Sequence, residues 1–240
     1  MPTKIRPAKP QPYHHGDLRR VLLDASLALV NEAGVGALSL REVARKAGVS
    51  HNAPYHHFPD KGSVLSALAI EGLGLLTEHM VAAIGDAGSD PKARLEACGL
   101  AYVRFAISHA AHFRVMFRPE LVCGEDDPEM MEASAKPFEQ VVAAVVACQE
   151  AGLMSAGDPM PQVLTCWAAV HGIASLWLDG PLSQDPKGFG KSPEELAETV
   201  VFTLSGMMLK PAAETDRTRA RGKAPSRRPS GRLPQRSGRV

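Results

Sequence analysis

Residues Ser39–Phe58 read SLREVARKAGVSHNAPYHHF, and this stretch decides the fold. Ser39 and Glu42 form an S-x-x-E capping box, in which each side chain can satisfy a backbone N–H at a helix start. Leu38 and Val43 occupy the two staple positions around it. Leu40, Val43, Ala44 and Ala47 then make one apolar face at helical spacing. Gly48 supplies the left-handed backbone that stops the helix, Val49 can plug the corner, and Ser50 is a good cap for a second helix. The pattern predicts a helix-turn-helix over residues 39–58, whose second helix enters the major groove and reads base edges.

That second helix carries its polar residues on one side. His51, Asn52, Tyr55 and His56 share a face at i, i+3, i+4 spacing, while Phe58 turns inward and Pro59 ends the helix. Asn and His can bond base edges, and Tyr can bond a phosphate oxygen. Pro54, counted from Ser50 as cap, lies at the limit of where a missing N–H is harmless, which predicts an irregular or 3₁₀-like first turn.

The segment SLREVARKAGVS, followed by YHHFPDK and a further apolar helix, resembles the tetracycline-repressor (TetR) family of bacterial transcription regulators over roughly Gly16 to Ala69. The resemblance implies an all-α protein: a three-helix helix-turn-helix head, then a larger helical ligand-binding and dimerisation domain. It also implies a repressor released by a small molecule. In that family the residues matching Tyr55 and Lys61 commonly meet phosphates. Pro54 departs from the pattern, since the family more often has Leu, Val or Ile there. The candidate DNA contacts are Ser39, Arg41, Ser50, His51, Asn52, Ala53, Tyr55, His56, His57 and Lys61.

Charge is unevenly placed along the 240 residues, whose net charge is +1. Residues 211–240 hold nine Arg or Lys and two acids, a net +7, so the other 210 residues carry −6. Residues 1–13 add Lys4, Arg6 and Lys9 with no acid. Both ends are rich in Pro, Arg, Ser and Gly, which predicts a disordered basic arm at 1–13 and a disordered basic tail at 211–240. An arm beside a helix-turn-helix can add phosphate contacts, whereas the tail serves equally well for solubility. The domains expected between them are 14–69 for the DNA-binding head and 70–210 for the ligand-binding and dimerisation domain. No uninterrupted apolar run reaches the roughly 18–20 residues of a membrane span, and MPTKIRPAKPQPYHH has no apolar signal core, so a cytoplasmic protein is expected. The cysteines at 98, 123, 148 and 166 form no C-x-x-C pair, and buried core thiols are expected.

Further helices follow from periodicity. The first runs from about Asp17 to Ala33 and ends at Gly34. Asp60 caps the helix bearing Val64, Leu65, Leu68 and Leu75, which leads out of the head. Pro91 opens another, a short helix or turn lies near Ala110–Phe117, and Pro128–Gly152 is helical. Val163–Leu178, VLTCWAAVHGIASLWL, has no charge, so it must be buried all round. Ala168, Gly172 and Ser175 form a small-residue strip on it. The last helix, about Pro193–Leu209, carries Leu196, Val200, Val201, Leu204 and Met208. Excess apolar surface on these two helices predicts a homodimer interface made of those eight residues, as the resemblance also implies.

Methionine and aromatic residues crowd the middle of the chain and can line a pliable pocket for a small apolar effector, although such stripes also build plain core. The candidates are Tyr102, Phe105, His109, Phe113, Phe117, Phe138, Trp167 and His171. Trp167, His171 and Gly172 form a W-x3-H-G element like that of one C-terminal subgroup of the family. No nucleophile elbow, Walker loop or HExxH is present, so neither an enzyme nor a cofactor is expected. His109 and His112 have H-x-x-H spacing with Cys98 nearby, but no carboxylate pair completes a metal site. The function expected is a DNA-binding repressor, partnered by a palindromic operator, by itself and by an effector. The alternatives are a thiol- or metal-responsive regulator on the same scaffold, and a non-DNA interaction protein.

Overall fold

The computed structural model describes residues 18–118, 127–184 and 190–210, and these are helical with no strand among them. The two basic ends and Cys123 lie outside the described residues. Helix α1 is Leu18–Ala33 and α2 is Leu40–Ala47, joined through a 3₁₀ turn at Val35–Ala37. A second 3₁₀ turn at Ala53–His56 precedes the long helix α3, Lys61–Asp86. Then come α4 (Pro91–Ser108), α5 (Ala110–Met116), α6 (Pro128–Glu150), α7 (Met160–Leu178), a single turn α8 (Pro181–Gln184) and α9 (Pro193–Met208).

The head packs α1 and α2 over the first turns of α3. Leu22, Val30, Leu38, Val43, Phe58, Val64, Leu65 and Leu68 share its buried core, and Ala111 and Val115 of α5 complete it from the larger domain. Helix α2 starts as the sequence demands, with the Glu42 N–H donating to Ser39 Oγ at 3.2 Å. The reciprocal half of the capping box is replaced, because the Glu42 carboxylate pairs with Arg45 one turn on. Gly48 ends α2 at φ 69°, a left-handed conformation that a side chain would strain.

One expectation fails here: no second α-helix follows the turn. Ser50 does not cap one; its carbonyl accepts the Ala53 N–H at 3.0 Å, and a single 3₁₀ turn results. Pro54 is the cause. It brings no N–H to an α-helical ladder, and its own carbonyl receives both the His57 and Phe58 N–H groups, at 3.0 and 2.9 Å.

Asp60 begins α3 in a full capping box with Ser63. This helix is long and apolar enough to cross a membrane by length and composition, although Glu71 and Glu78 interrupt its apolar run. Here its Leu65, Leu68, Leu76 and Met80 are buried in the protein, and it belongs to both cores. In the larger domain α4 lies between α3, α6, α7 and α9, with Phe105, Val103 and Ala106 fully buried. Pro137 stands inside α6 and is buried. On helix α7 only Val163, Val170 and Ala174 are buried within one chain, while Leu164 and Leu176 are 49% and 45% exposed, leaving the excess apolar surface that the sequence assigns to an interface.

Candidate functional site

The 3₁₀ turn acts as a two-sided wedge. Pro54 and Phe58 are buried beneath it, and His51, Asn52, Tyr55, His56 and His57 are exposed above. Arg19 lies over the Phe58 ring with its guanidinium carbon 5.3 Å from the centroid, a cation–π contact that helps seat the turn on α1. Arg41 and Ser50 are exposed on the neighbouring helix and corner, Ala53 is half-buried, and Ser39 is engaged as the cap of α2. Nine of the ten candidate DNA contacts therefore gather on or beside one convex edge of the head.

Lys61 is the tenth, and its ammonium is occupied. Its Nζ donates to the carbonyls of Val35 at 3.0 Å and Gly36 at 3.4 Å. The contact clamps the start of α3 to the turn between α1 and α2. Sequence reasoning assigned this lysine only a phosphate; the carbonyls lie 25 and 26 positions away, beyond any local signal.

A cavity of about 390 Å³ opens in the larger domain between α3, α4, α5, α6 and α7. Four of the eight proposed pocket residues line it: Tyr102, Phe117, Phe138 and Trp167. The others do not. Phe105 is fully buried core stacked on His109, with ring centroids 4.9 Å apart, and His109 closes α4. Phe113 and His171 stand behind the wall, in ring contact with Tyr102 at 5.9 and 6.3 Å. The missed wall comes from α3 (Leu73, Leu76, Met80), from Met116 of α5 and from α6. On α6 the signal was present, because Met130, Ser134, Pro137, Phe138 and Val141 recur at helical spacing.

The W-x3-H-G element has a physical task in this wall. Tyr102 Oη lies 2.9 Å from His171 Nδ1, and Trp167 Nε1–H donates to the same oxygen at 3.4 Å. One turn of α7 thus holds the phenol of α4 from two sides. Burial keeps His171 below the usual imidazole range and raises Tyr102 well above the usual phenol range, so both are neutral at pH 7.

The cavity is wired to the head. Glu71, on α3 two residues before the cavity-lining Leu73, accepts from Arg20 of α1 and lies 3.1 Å from His112 Nε2 of α5. Burial would raise the Glu71 carboxyl, but the bonds from Arg20 and His112 outweigh it and hold the group below the usual range. Beside it, a methyl at Gly72 would meet Met116 Sδ at 2.6 Å, and Met116 lines the cavity. Helices α3 and α5 pack closely there, with His112 Cβ 3.0 Å from the same methyl position.

The proposed interface residues divide by face. Ala168 is exposed, Gly172 has open space where a side chain would stand, and Ser175 is half-buried. Val201, however, is 6% exposed and packs inward, 3.2 Å from where a methyl on Gly99 would be. Leu204 and Met208 turn toward α4 and α7 around a small second cavity, and Leu196 and Val200 are half-buried. Inward placement removes Val201 from the interface assignment. The large apolar residues exposed on α7 and α9 are Met160, Leu164, Leu176, Phe202 and Met207.

The three described thiols are poor sensors. Burial pushes Cys98 up to about 12 and Cys148 and Cys166 up to about 11, leaving almost no reactive thiolate. No group of three His, Cys, Asp or Glu among the described residues could hold a metal ion.

Residues 22–68 match the family model for bacterial regulatory proteins of the tetR family, and residues 95–204 match that for the tetracyclin repressor-like C-terminal domain. The HTH-type transcriptional regulator BetI of Yersinia pestis (strain Pestoides F) is 38% identical over 82 residues, 33% of this chain and 40% of BetI. The chain thus spans less than half the length of that relative. A protein of unknown function from Rhodococcus sp. RHA1 is 34% identical, covering 84% of this chain and 100% of its own, with a TM-score of 0.70. The TetR family transcriptional regulator PfmR from Thermus thermophilus shares the fold at 22% identity and TM-score 0.60, over 76% of this chain and 96% of its own. With the helix-turn-helix head and the helical C-terminal domain both matched, the chain belongs to the tetR family of bacterial regulatory proteins, which are regulators and not enzymes.

Proposed function

We propose that this protein is a homodimeric repressor that binds a palindromic operator and is released by a small apolar effector. The observation that carries the reading is the joint placement of the head and the cavity on α3. The helix begins at the Asp60–Lys61 clamp beneath the DNA-reading edge and lines the cavity with Leu73, Leu76 and Met80. A guest that moves α3 moves the head. DNA fixes the separation of two recognition elements at about one turn, 34–36 Å, so a ligand favouring another separation lowers operator affinity. By linkage, DNA lowers ligand affinity by the same factor.

Exposed His51, Asn52, Tyr55, His56 and His57 are the proposed reading residues, and the outward faces of α7 and α9 are the proposed two-fold seam. We assign Trp167, His171 and Gly172 to the subgroup element by their W-x3-H-G spacing, with Trp167 and His171 both holding Tyr102. A DNA-bound role places the protein in the cytoplasm. The raised thiols weigh against a redox trigger.

The test is selection of bound duplexes from random DNA, then footprinting and light scattering of the complex. Two protein chains on a two-fold symmetric site are expected. A monomer on an asymmetric single half-site refutes the proposal.

A further inference from the structure

The wall of the 390 Å³ cavity defines the chemistry of its guest. Among the described lining residues there is no Lys, Arg, His, Asp or Glu. A carboxylate, phosphate or ammonium group carried inside would lose its water and gain no charged partner among the described lining residues, at a large cost in affinity. A cavity of 150 Å³ takes one benzene ring, so this one takes a molecule of roughly 15 non-hydrogen atoms.

Two polar side-chain oxygens remain among the described lining residues, and their spare capacity has one sign. Ser134 Oγ already donates to the Met131 carbonyl at 2.9 Å, leaving only acceptor capacity. Tyr102 shares a proton with His171 at 2.9 Å; placing it on the phenol joins the stronger donor to the stronger acceptor. With Trp167 Nε1–H also donating to that oxygen, the phenol keeps one lone pair. Both are acceptors.

We infer that the cavity binds an uncharged aromatic or alicyclic molecule of roughly 15 non-hydrogen atoms that presents one hydroxyl donor, received by Tyr102 or Ser134. The inference rests on the effector reading above and narrows it. The hydrocarbon body fills the Met, Phe and Trp surface, and the hydroxyl fixes its orientation.

The test uses four matched probes: 4-hydroxybiphenyl, 4-methoxybiphenyl, biphenyl and biphenyl-4-carboxylate. Calorimetric titration of the full chain without DNA reads binding directly. The phenol is expected to bind about tenfold tighter than the methoxy ether, and the carboxylate at least about a hundredfold weaker than the phenol. In Tyr102→Phe, or in Ser134→Ala at an exposed position that leaves the core intact, the advantage of the phenol over the ether is expected to shrink while biphenyl affinity holds. A carboxylate binding as tightly as the phenol overturns the inference. So does an unchanged phenol-to-ether ratio in both variants, or no neutral probe binding up to its solubility. Operator affinity, titrated separately, distinguishes the two readings. A phenol that binds but leaves operator affinity unchanged refutes effector release and leaves the ligand chemistry standing.

Discussion

Two adjacent residues of α9 face opposite ways, and substituting each in turn separates folding from assembly. Val201 is 6% exposed against α4, whereas Phe202 is 49% exposed on the outward face beside α7. A phenylalanine can bury 150–250 Å², so about 100 Å² of Phe202 stays open in one protomer. Covering it with a partner contributes about 2.5 kcal/mol at roughly 25 cal/mol per Å². A two-fold axis counts the residue twice, and alanine keeps part of the contact, so Phe202→Ala weakens the dimer by about 4 kcal/mol, or about a thousandfold in Kd. Val201→Ala removes two buried methyl groups, at roughly 2 kcal/mol of folding stability, and leaves the dimer constant within about threefold. Sedimentation equilibrium reads the first effect and thermal unfolding the second. A Phe202→Ala protein that remains as dimeric as the parent, or a Val201→Ala protein that dissociates without losing Tm, refutes this assignment of faces.

Three further outcomes are expected. Lys61→Ala should weaken all duplexes nearly equally and flatten the salt slope by about one if the ammonium also reaches phosphate, and it should lower Tm because the Val35 and Gly36 carbonyls lose their donor. By contrast, Asn52→Ala and His56→Ala should leave Tm unchanged and relax preference at particular base pairs by about 1–3 kcal/mol; unchanged base preference in both would remove them from readout. Acidification should destabilise the fold, since burial first of all holds His109, His112 and His171 below the ordinary histidine value. Each takes up a proton more readily unfolded than folded. Their contribution is therefore complete above about pH 6.5 and is lost as pH falls from there through the lowered folded values. Tm should drop between pH 7.5 and 5.5, less steeply in His112→Gln and His171→Gln; a Tm that rises on acidification contradicts this account.

What the sequence made legible was local. Ser39, Gly48 and Asp60 act within four residues of themselves, and each does what its type dictates. The helices of the larger domain follow from apolar spacing in the same way. Pro54 was legible as a disturbance, but its outcome was not. A proline early in a helix can be absorbed by one irregular turn, and here no α-helical turn follows, because Phe58 must still reach the core. The non-local contacts were out of reach. Nothing near Lys61 announces the Val35 carbonyl, and nothing near Glu71 announces both Arg20 and His112. The face of α9 was misjudged for a related reason: a broadly apolar helix cannot say which side its own chain covers. Val201 and Phe202 differ in contact, not in hydrophobicity.

The wedge at Pro54 also bears on how such a regulator can diversify. Its buried side is a proline and a phenylalanine, and its exposed side is five polar side chains with no part in the core. Substitutions at His51, Asn52, Tyr55, His56 and His57 fall in the class that shifts stability by no more than about 0.5 kcal/mol. With these five as the proposed reading residues, target preference would be free to drift, or to be rewritten by a combinatorial library at five codons, without spending the stability that holds the head together. A duplicate gene could acquire a new operator while keeping its old effector, and the same cavity could then come to govern a different set of genes.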